Sequence, residues 1–150
     1  MTGSPAAAQR LAEAVAKAML AQDNASRALG MVIEEIGPGH ARLSMPVRDD
    51  MINGHELCHG GLIFTLADSA FAFACNARNE VTVAAGAEIH FVSSARKGET
   101  LVAEARERAA MGKSGIYDIE VSDRGSGRVV ALFRGRSLRL QGNVIAEGKI

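Results

Sequence analysis

The sequence predicts an α+β domain in which a long antiparallel sheet wraps around one central helix. Three observations support this fold class. The segment from Gly60 to about Arg78 is apolar on nearly every face, which is typical of a helix in a protein interior. Two segments with strand pattern precede it and four follow it, separated by short turns. The chain of 150 residues contains no repeat or linker, so we expect one domain over residues 1–150.

The elements before the central helix have recognisable end signals. Ser4 and Pro5 predict a helix start, because serine caps a first turn and proline fits the first helical position. This helix is expected within residues 1–25 and should dock on the domain. Its end is indicated by three polar residues, Asp23, Asn24 and Ser26. Residues 30–47 then predict two strands joined at Gly37-Pro38-Gly39.

The second half of the chain predicts a series of hairpins. The central helix is expected over residues 60–78. The strands that follow it are Val81–Ser93, Thr100–Met111, Gly115–Asp123 and Arg128–Leu140. Residues 115–123 show the two-residue alternation of a half-buried strand. The segment Ala103–Ala110 has strong helix propensity, but its place between hairpin partners favours a strand.

Composition excludes several classes of function. The formal net charge is zero and aromatic residues make up 4%, which argues against a nucleic-acid-binding surface. Cys58 and Cys75 do not form a disulfide framework, which favours a reducing compartment. The N-terminus lacks the pattern of a signal peptide, and the apolar run Leu62–Cys75 is too short to span a bilayer. We therefore expect a soluble cytoplasmic protein with no membrane or nucleic-acid partner.

Asp68 is the most unusual residue of the central helix. It is the one carboxylate in the run Leu62–Cys75, and its sequence neighbours offer no countercharge. An ionised carboxylate in apolar surroundings is costly unless it is paired, hydrogen-bonded or functional. Asp68 is therefore predicted to act as a base or a nucleophile. The alternative is an aspartate that faces a polar seam of a structural helix.

The residues before this helix offer partners for such chemistry. A helix N-terminus presents unpaired N–H groups, and a glycine there allows a ligand to approach the backbone closely. The Gly60 N–H could thus hold an oxyanion. Asn53 could donate or accept a hydrogen bond nearby, and His59 could orient the loop or polarise a substrate. Either residue could instead serve only a turn.

The spacing of Gly60 and Asp68 predicts a site shared between two chains. Asp68 follows Gly60 by eight residues, and eight residues of helix span about 12 Å. A base and an oxyanion donor must both lie within about 3 Å of the reacting centre. One chain cannot easily supply both groups to one site. We therefore expect a homodimer in which Gly60 of one chain faces Asp68 of the other.

A zinc-protease motif competes for the same segment. His55-Glu56-Leu57-Cys58-His59 matches H-E-x-x-H, in which two histidines of one helix face bind zinc. Here Gly54 precedes the motif and Gly60-Gly61 follows it, so a loop is expected. Without a helix the histidines do not share a face, and no metal site is predicted.

At these residues the chain resembles the hotdog-fold thioesterases of the phenylacetate-degradation (PaaI) type. The segment NGHELCHGGLIFTLADSAFAFACN, Asn53–Asn76, is similar to the loop and central helix of that family. The segments GKSGIYDIEV, Gly112–Val121, and VALFRGRSLRLQG, Val130–Gly142, are similar to its later strands. The resemblance extends from about Asn24 to Gly142.

This resemblance implies hydrolysis of aryl- or acyl-coenzyme A thioesters, with (hydroxy)phenylacetyl-CoA as the expected substrate. It implies that Asp68 is the catalytic carboxylate, Gly60 the oxyanion donor, and Asn53 and His59 supporting groups. It also implies a homotetramer of two hotdog dimers and no cofactor. Expected contacts to the coenzyme A or acyl groups are Gly61, Thr65, Ser69, Phe91, Arg96, Lys97, Lys113, Ser114 and Gly115.

Other interpretations of the chain stay open at this point. Asp68 could attack the thioester directly or deprotonate a water. The same fold could serve as a non-catalytic acyl-CoA sensor, although residues 1–25 are short for a DNA-binding module. It could also be an enoyl-CoA hydratase if His59 and Asp68 met across a dimer. The acyl group itself is not specified by the residues.

Overall fold

The computed structural model describes residues 3–146 and 148 and confirms the predicted α+β fold. The helices are α1 Pro5–Gln22, α2 Asn24–Ala28 and α3 Gly60–Asn76, with a short 3-10 helix at Asp49–Met51. The strands are β1 Val32–Gly37, β2 His40–Pro46, β3 Thr82–Phe91, β4 Thr100–Met111, β5 Ser114–Asp123 and β6 Val129–Arg139. The ambiguous segment Ala103–Ala110 lies within β4, as predicted.

The six strands form one antiparallel sheet in the order β1-β2-β4-β5-β6-β3. The central helix α3 contacts every strand of this sheet, so the sheet curves around it as the sequence predicts. β1 and β3 are the two edge strands. None of the helices within residues 3–146 has the length and apolar character needed to cross a bilayer.

Aromatic side chains fill the space between α3 and the sheet. Phe71 packs edge-on against Tyr117 with ring centroids 5.4 Å apart, and its ring lies 6.1 Å from that of Phe133. Gly135 leaves room for Phe71, because a Cβ at Gly135 would lie 2.8 Å from the nearest ring atom. This close approach fixes α3 over β5 and β6.

The N-terminal region contains one helix more than the sequence predicts. The Ser4 hydroxyl accepts a bond from the Ala7 N–H and caps α1, as expected. At the other end, the Asp23 N–H donates to the Leu20 carbonyl and closes α1, while its carboxylate accepts from the Ser26 N–H. Asp23 thus ends one helix and caps the next. The polar residues predicted to lie beyond α1 therefore form α2.

The two edges of the sheet differ in their cover. At β1 the Gln9 amide donates to the Ile36 carbonyl at 2.6 Å, and a bulge between Ile33 and Glu35 interrupts the strand. At β3, by contrast, residues 83–88 are exposed on both faces. An exposed edge with bare side chains on both faces is a ready surface for another strand.

Candidate active site

His59 organises the start of α3. Its backbone is extended, and its Nδ1 accepts a hydrogen bond from the Gly61 N–H at 2.9 Å. Because Nδ1 accepts, the ring proton resides on Nε2 and the imidazole is neutral in this arrangement. The Gly61 N–H is therefore engaged by the cap and is not available to a ligand.

The N–H of Gly60 is in a different situation. Among residues 3–146 and 148 it donates to no acceptor, as expected for the first residue of a helix. A Cβ at Gly60 would lie 3.2 Å from the ring of Phe91, which covers this position. Because glycine has no side chain, the Phe91 ring can lie close to the free N–H of Gly60.

Asn53 shapes the loop before the helix. Its side-chain oxygen accepts from the N–H groups of His55 and Leu57, at 2.9 and 3.2 Å. Glu56 completes the turn with a φ of 63°, in the left-handed region. The predicted loop at the H-E-x-x-H motif is thus confirmed, and His55 and His59 share no helix face.

Asp68 lies half-buried on the side of α3 that the sheet leaves uncovered. Thr65 and Ala72, one turn before and after it, lie on the same side. No hydrogen bond or ion pair reaches the Asp68 carboxylate from the described part of the chain, and burial raises its pKa. An unpaired carboxylate with a raised pKa is suited to accept a proton.

Two separate grooves contain these groups. The Asp68 groove, about 520 Å³, is lined by Met19, Asp68, Phe71, Ala72, Cys75, Asn76, residues 81–84, Asn143 and Val144. The Gly60 groove, about 280 Å³, is lined by Asn53, Leu57, Cys58, Gly60, Ile63 and residues 91–95. The first lies at the start of β3 and the second at its end. One chain therefore does not bring Gly60 and Asp68 into one groove, in agreement with the distance argument.

The structure separates the two hydroxyl residues predicted to contact substrate. Thr65 lies on the Asp68 side of α3, where its hydroxyl donates to the Gly61 carbonyl at 2.8 Å. Ser69 instead faces α2: it is 9% exposed, and its hydroxyl lies 2.8 Å from that of Ser26. The predicted contact of Ser69 with substrate does not fit this placement, because residues next to each other on a helix point about 100° apart.

The residues from two loops that are predicted to contact coenzyme A lie in two separate places. Arg96 and Lys97 follow Ala95, which lines the Gly60 groove. Lys97 pairs with Asp49 at 2.8 Å, whereas the Arg96 guanidinium has no ion pair within residues 3–146. The group Lys113, Ser114 and Gly115 lies at the β4–β5 turn instead. Because β6 separates β5 from β3, that turn lines neither groove.

One cluster of potential metal ligands lies away from both grooves. Ligand atoms of Glu35, His40 and Glu104 approach within 4.8 Å of one another. Arg42 and Arg106 already pair with the two glutamates, at 2.6 and 2.5 Å. The cluster therefore fits a charge network on the sheet surface.

The sequence reasoning missed the residues that close the Asp68 groove from outside the central helix. Met19 comes from α1, and Asn143 and Val144 come from the segment after β6. Their position depends on long-range packing, which local periodicity does not report. The segment Gln141-Gly142-Asn143 after β6 is the sequence signal that a turn follows the strand.

Comparison with known proteins agrees with this geometry. The family model described as thioesterase superfamily matches residues 55–130. The acyl-coenzyme A thioesterase PaaI of Escherichia coli K12 is 42% identical over 132 residues, which cover 88% of this chain and 94% of that protein.

Two solved structures extend the similarity to the fold. The E. coli PaaI protein from the phenylacetic acid degradation operon superposes with a TM-score of 0.88 at 41% identity, covering 90% of this chain and 97% of that one. The TT0310 protein of Thermus thermophilus gives 0.76 at 35% identity, covering 79% and 99%. The chain therefore belongs to the thioesterase superfamily and has its hotdog fold.

Proposed function

We propose that this protein is an enzyme that hydrolyses acyl-coenzyme A thioesters to the free acid and coenzyme A. The observation that carries the proposal is Asp68, an unpaired carboxylate beside an apolar groove. The 42% identity with an acyl-coenzyme A thioesterase supports the activity. The operon of the similar E. coli protein favours phenylacetyl-type thioesters, with or without a ring hydroxyl, as substrates.

The functional unit we propose is a homodimer joined through β3. If two β3 strands pair antiparallel about a two-fold axis near their middle, the start of each strand faces the end of the other. The Asp68 groove lies at the start and the Gly60 groove at the end. This pairing would merge them into two composite sites, each with Gly60 from one chain and Asp68 from the other. Two such dimers would form the proposed homotetramer.

In the composite site, Gly60 and Asp68 have complementary roles. Asp68 removes a proton from water, and the hydroxide adds to the thioester carbonyl carbon. The Gly60 N–H holds the resulting oxyanion, and the helix start adds partial positive charge. Collapse breaks the carbon–sulfur bond, and the proton held by Asp68 passes to the departing thiolate.

A covalent route uses the same groups. Asp68 attacks the carbonyl carbon and expels the thiolate, and water then hydrolyses the mixed anhydride. Both routes consume one water and need no cofactor or metal. His59 and Asn53 contribute indirectly in either case, because they hold the loop and the helix start through the Gly61, His55 and Leu57 N–H groups.

The coenzyme A part of the substrate would lie along the Gly60 groove. Arg96 is next to this groove and its guanidinium has no ion pair within residues 3–146, so it can bind a phosphate group of coenzyme A. Two free cysteines, Cys58 and Cys75, agree with a reducing compartment, and we propose a cytoplasmic location.

The first experiment measures coenzyme A release from aryl- and fatty-acyl-CoA esters. Asp68→Asn preserves shape, and the exposed Asp50→Asn serves as a matched control. We expect Asp68→Asn to lose roughly a hundredfold or more in kcat while folded, because general-base catalysis contributes on that order. Binding without hydrolysis by wild type would favour the acyl-CoA sensor. Hydration of an enoyl-CoA without thioester cleavage would favour the hydratase.

A complementation experiment tests the shared site. Gly60→Pro deletes the N–H at a helix position that accepts proline, and Asp68→Asn deletes the base. Each variant alone should be inactive. If the two form mixed dimers at random, about half are mixed and each has one intact site of two, so about a quarter of wild-type activity returns. No recovery in a verified mixed dimer would mean that each chain supplies its whole site.

A further inference from the structure

The segment after β6 closes one end of the Asp68 groove. Asn143 and Val144 both line this groove, and Val144 is half-buried. The segment is held in register with the chain before β3, since the Leu140 N–H donates to the Val81 carbonyl and the Val81 N–H donates to the Gly142 carbonyl. Part of the groove wall is thus built from residues close to the end of the described chain.

Asn79 fastens this segment. Its side chain donates to the Ile145 carbonyl at 3.0 Å and accepts from the Ile145 N–H at 2.8 Å. The Asn143 side chain donates back to the Asn79 carbonyl at 2.8 Å. Asn79 is 5% exposed and has a φ of 66°, a conformation that asparagine tolerates better than most residues. Three hydrogen bonds to one buried residue fix the wall rather than leave it to fray.

Most of the side-chain donors around the groove are already engaged. Asn76 bonds the Ala72 carbonyl and both backbone groups of Thr82. The Asn143 amide is used by Asn79, as described above. Asp68 is the one charged side chain of the described groove lining, and its carboxylate receives no hydrogen bond or ion pair from the described residues. The apolar side chains that line the groove are Met19, Phe71, Ala72, Cys75, Val81, Val83, Ala84 and Val144.

These observations define what the groove can hold. A thioester whose carbonyl carbon is at Asp68 must place its acyl group on one side and its sulfur on the other. The sulfur points toward the Gly60 groove if the composite site is as proposed. The acyl group then enters the Asp68 groove, where apolar walls favour an uncharged hydrocarbon or aryl group.

We propose that Val144, clamped by Asn79, is a specificity-determining wall that sets the length of acyl group the enzyme accepts. This inference rests on the proposed function for the position of the thioester, and it adds the element that measures the acyl chain. A bulkier residue at 144 shortens the groove, and a looser clamp lengthens it. Neither change touches Asp68 or Gly60.

The test compares phenylacetyl-CoA with acetyl-CoA in four variants of the full chain. Val144→Trp should lower kcat/KM for phenylacetyl-CoA about tenfold or more and leave acetyl-CoA within about twofold, because pocket shape discriminates on this scale. Val144→Ala and Asn79→Gly should both raise turnover of the longer phenylbutyryl-CoA relative to phenylacetyl-CoA. Glycine at 79 retains the left-handed backbone and removes the two side-chain hydrogen bonds to Ile145, which loosens the clamp. Val32→Ala, an exposed valine of β1, is the matched control and should change neither ratio.

Equal losses on both substrates, or unchanged ratios in all three groove variants, would overturn the inference. Calorimetric binding of the two CoA esters separates this result from failure of the proposed function. If wild type hydrolyses neither ester, the proposed function fails, and the wall is then judged by binding alone. Weaker binding of phenylacetyl-CoA relative to acetyl-CoA in Val144→Trp supports the wall, and unchanged relative binding refutes it. If the tryptophan variant is unfolded by circular dichroism, Val144→Ala and Asn79→Gly decide the question.

Discussion

Removing the Ser26 hydroxyl should destabilise the protein more than removing that of Ser69, although both belong to one hydrogen-bonded chain. The Ser26 hydroxyl lies 2.6 Å from the Asp23 carboxylate and 2.8 Å from the Ser69 hydroxyl. A carboxylate can only accept, so Ser26 donates to Asp23 and Ser69 donates to Ser26. Both serines are buried, at 1% and 9% exposed. These hydrogen bonds therefore connect Ser69 of the central helix to Asp23, the residue that caps α2.

The direction of donation sets the magnitudes. Ser69→Ala removes one neutral hydrogen bond, worth about 1 kcal/mol of unfolding free energy. Ser26→Ala removes a bond to a charged acceptor, worth about 1.5–3 kcal/mol, and leaves the Ser69 hydroxyl without its partner. Asp23 retains the Ser26 N–H at 2.9 Å, so the helix cap survives in part. We expect a loss of about 2–3 kcal/mol for Ser26→Ala, and little more for the double variant.

Urea unfolding of wild type, both single variants and the double variant provides the assay. Protein concentration must be the same throughout, because assembly shifts apparent stability. The double-mutant cycle should give a coupling energy of about 1 kcal/mol. Additivity within about 0.3 kcal/mol, or a larger loss for Ser69→Ala than for Ser26→Ala, would refute the assigned directions of these hydrogen bonds.

Three further predictions concern the central helix and its surroundings. Gly135→Ala places a methyl group 2.8 Å from the Phe71 ring, and in urea titration it should lower the unfolding free energy by about 1–3 kcal/mol. Gly54 has open space around it, so Gly54→Ala is the control and should be nearly neutral in the same assay. Asp68→Asn should raise the melting temperature at pH 7 but not at a pH below the unfolded-state pKa. The reason is that burial raises the folded-state pKa of Asp68, so the stability linked to its protonated form is present at low pH and lost as pH rises through that pKa. A variant with the same melting temperature as wild type at both pH values would contradict this prediction. Burial also raises the pKa of Cys75 to about 12, so its reaction with a thiol reagent at pH 8 should be roughly a hundredfold slower in the folded protein than in urea.

Much of the fold could be predicted because the local signals agreed with the global structure. The apolar helix and the hairpin series each carried their own periodicity, and Ala103–Ala110 was assigned by its place between partners. The short helix α2 was missed because Asp23 closes one helix and opens the next, and a run of cap-forming residues looks like an end. Five residues are too few for a periodic pattern to stand out.

The site was predictable only in part, for a geometric reason. Asp68 and Gly60 are unusual by residue type, so composition alone draws attention to them. Which side of the helix each neighbour takes depends on what covers it, and Ser69 faces α2 although it follows Asp68 directly. The groove wall at Val144 depends on Asn79, 65 residues earlier in the chain. No local pattern reports such a contact.

The unequal cover of the two sheet edges has a consequence for how the protein can grow. Gln9 and α1 contact the β1 edge and a bulge interrupts it, so a chain that pairs through β3 presents only a partly covered second edge. This cover and the bulge disfavour further strand pairing through β1, so we expect the proposed β3 dimer not to extend into a filament. We expect that deleting α1 would expose more of the β1 edge and allow the proposed dimer to extend through it.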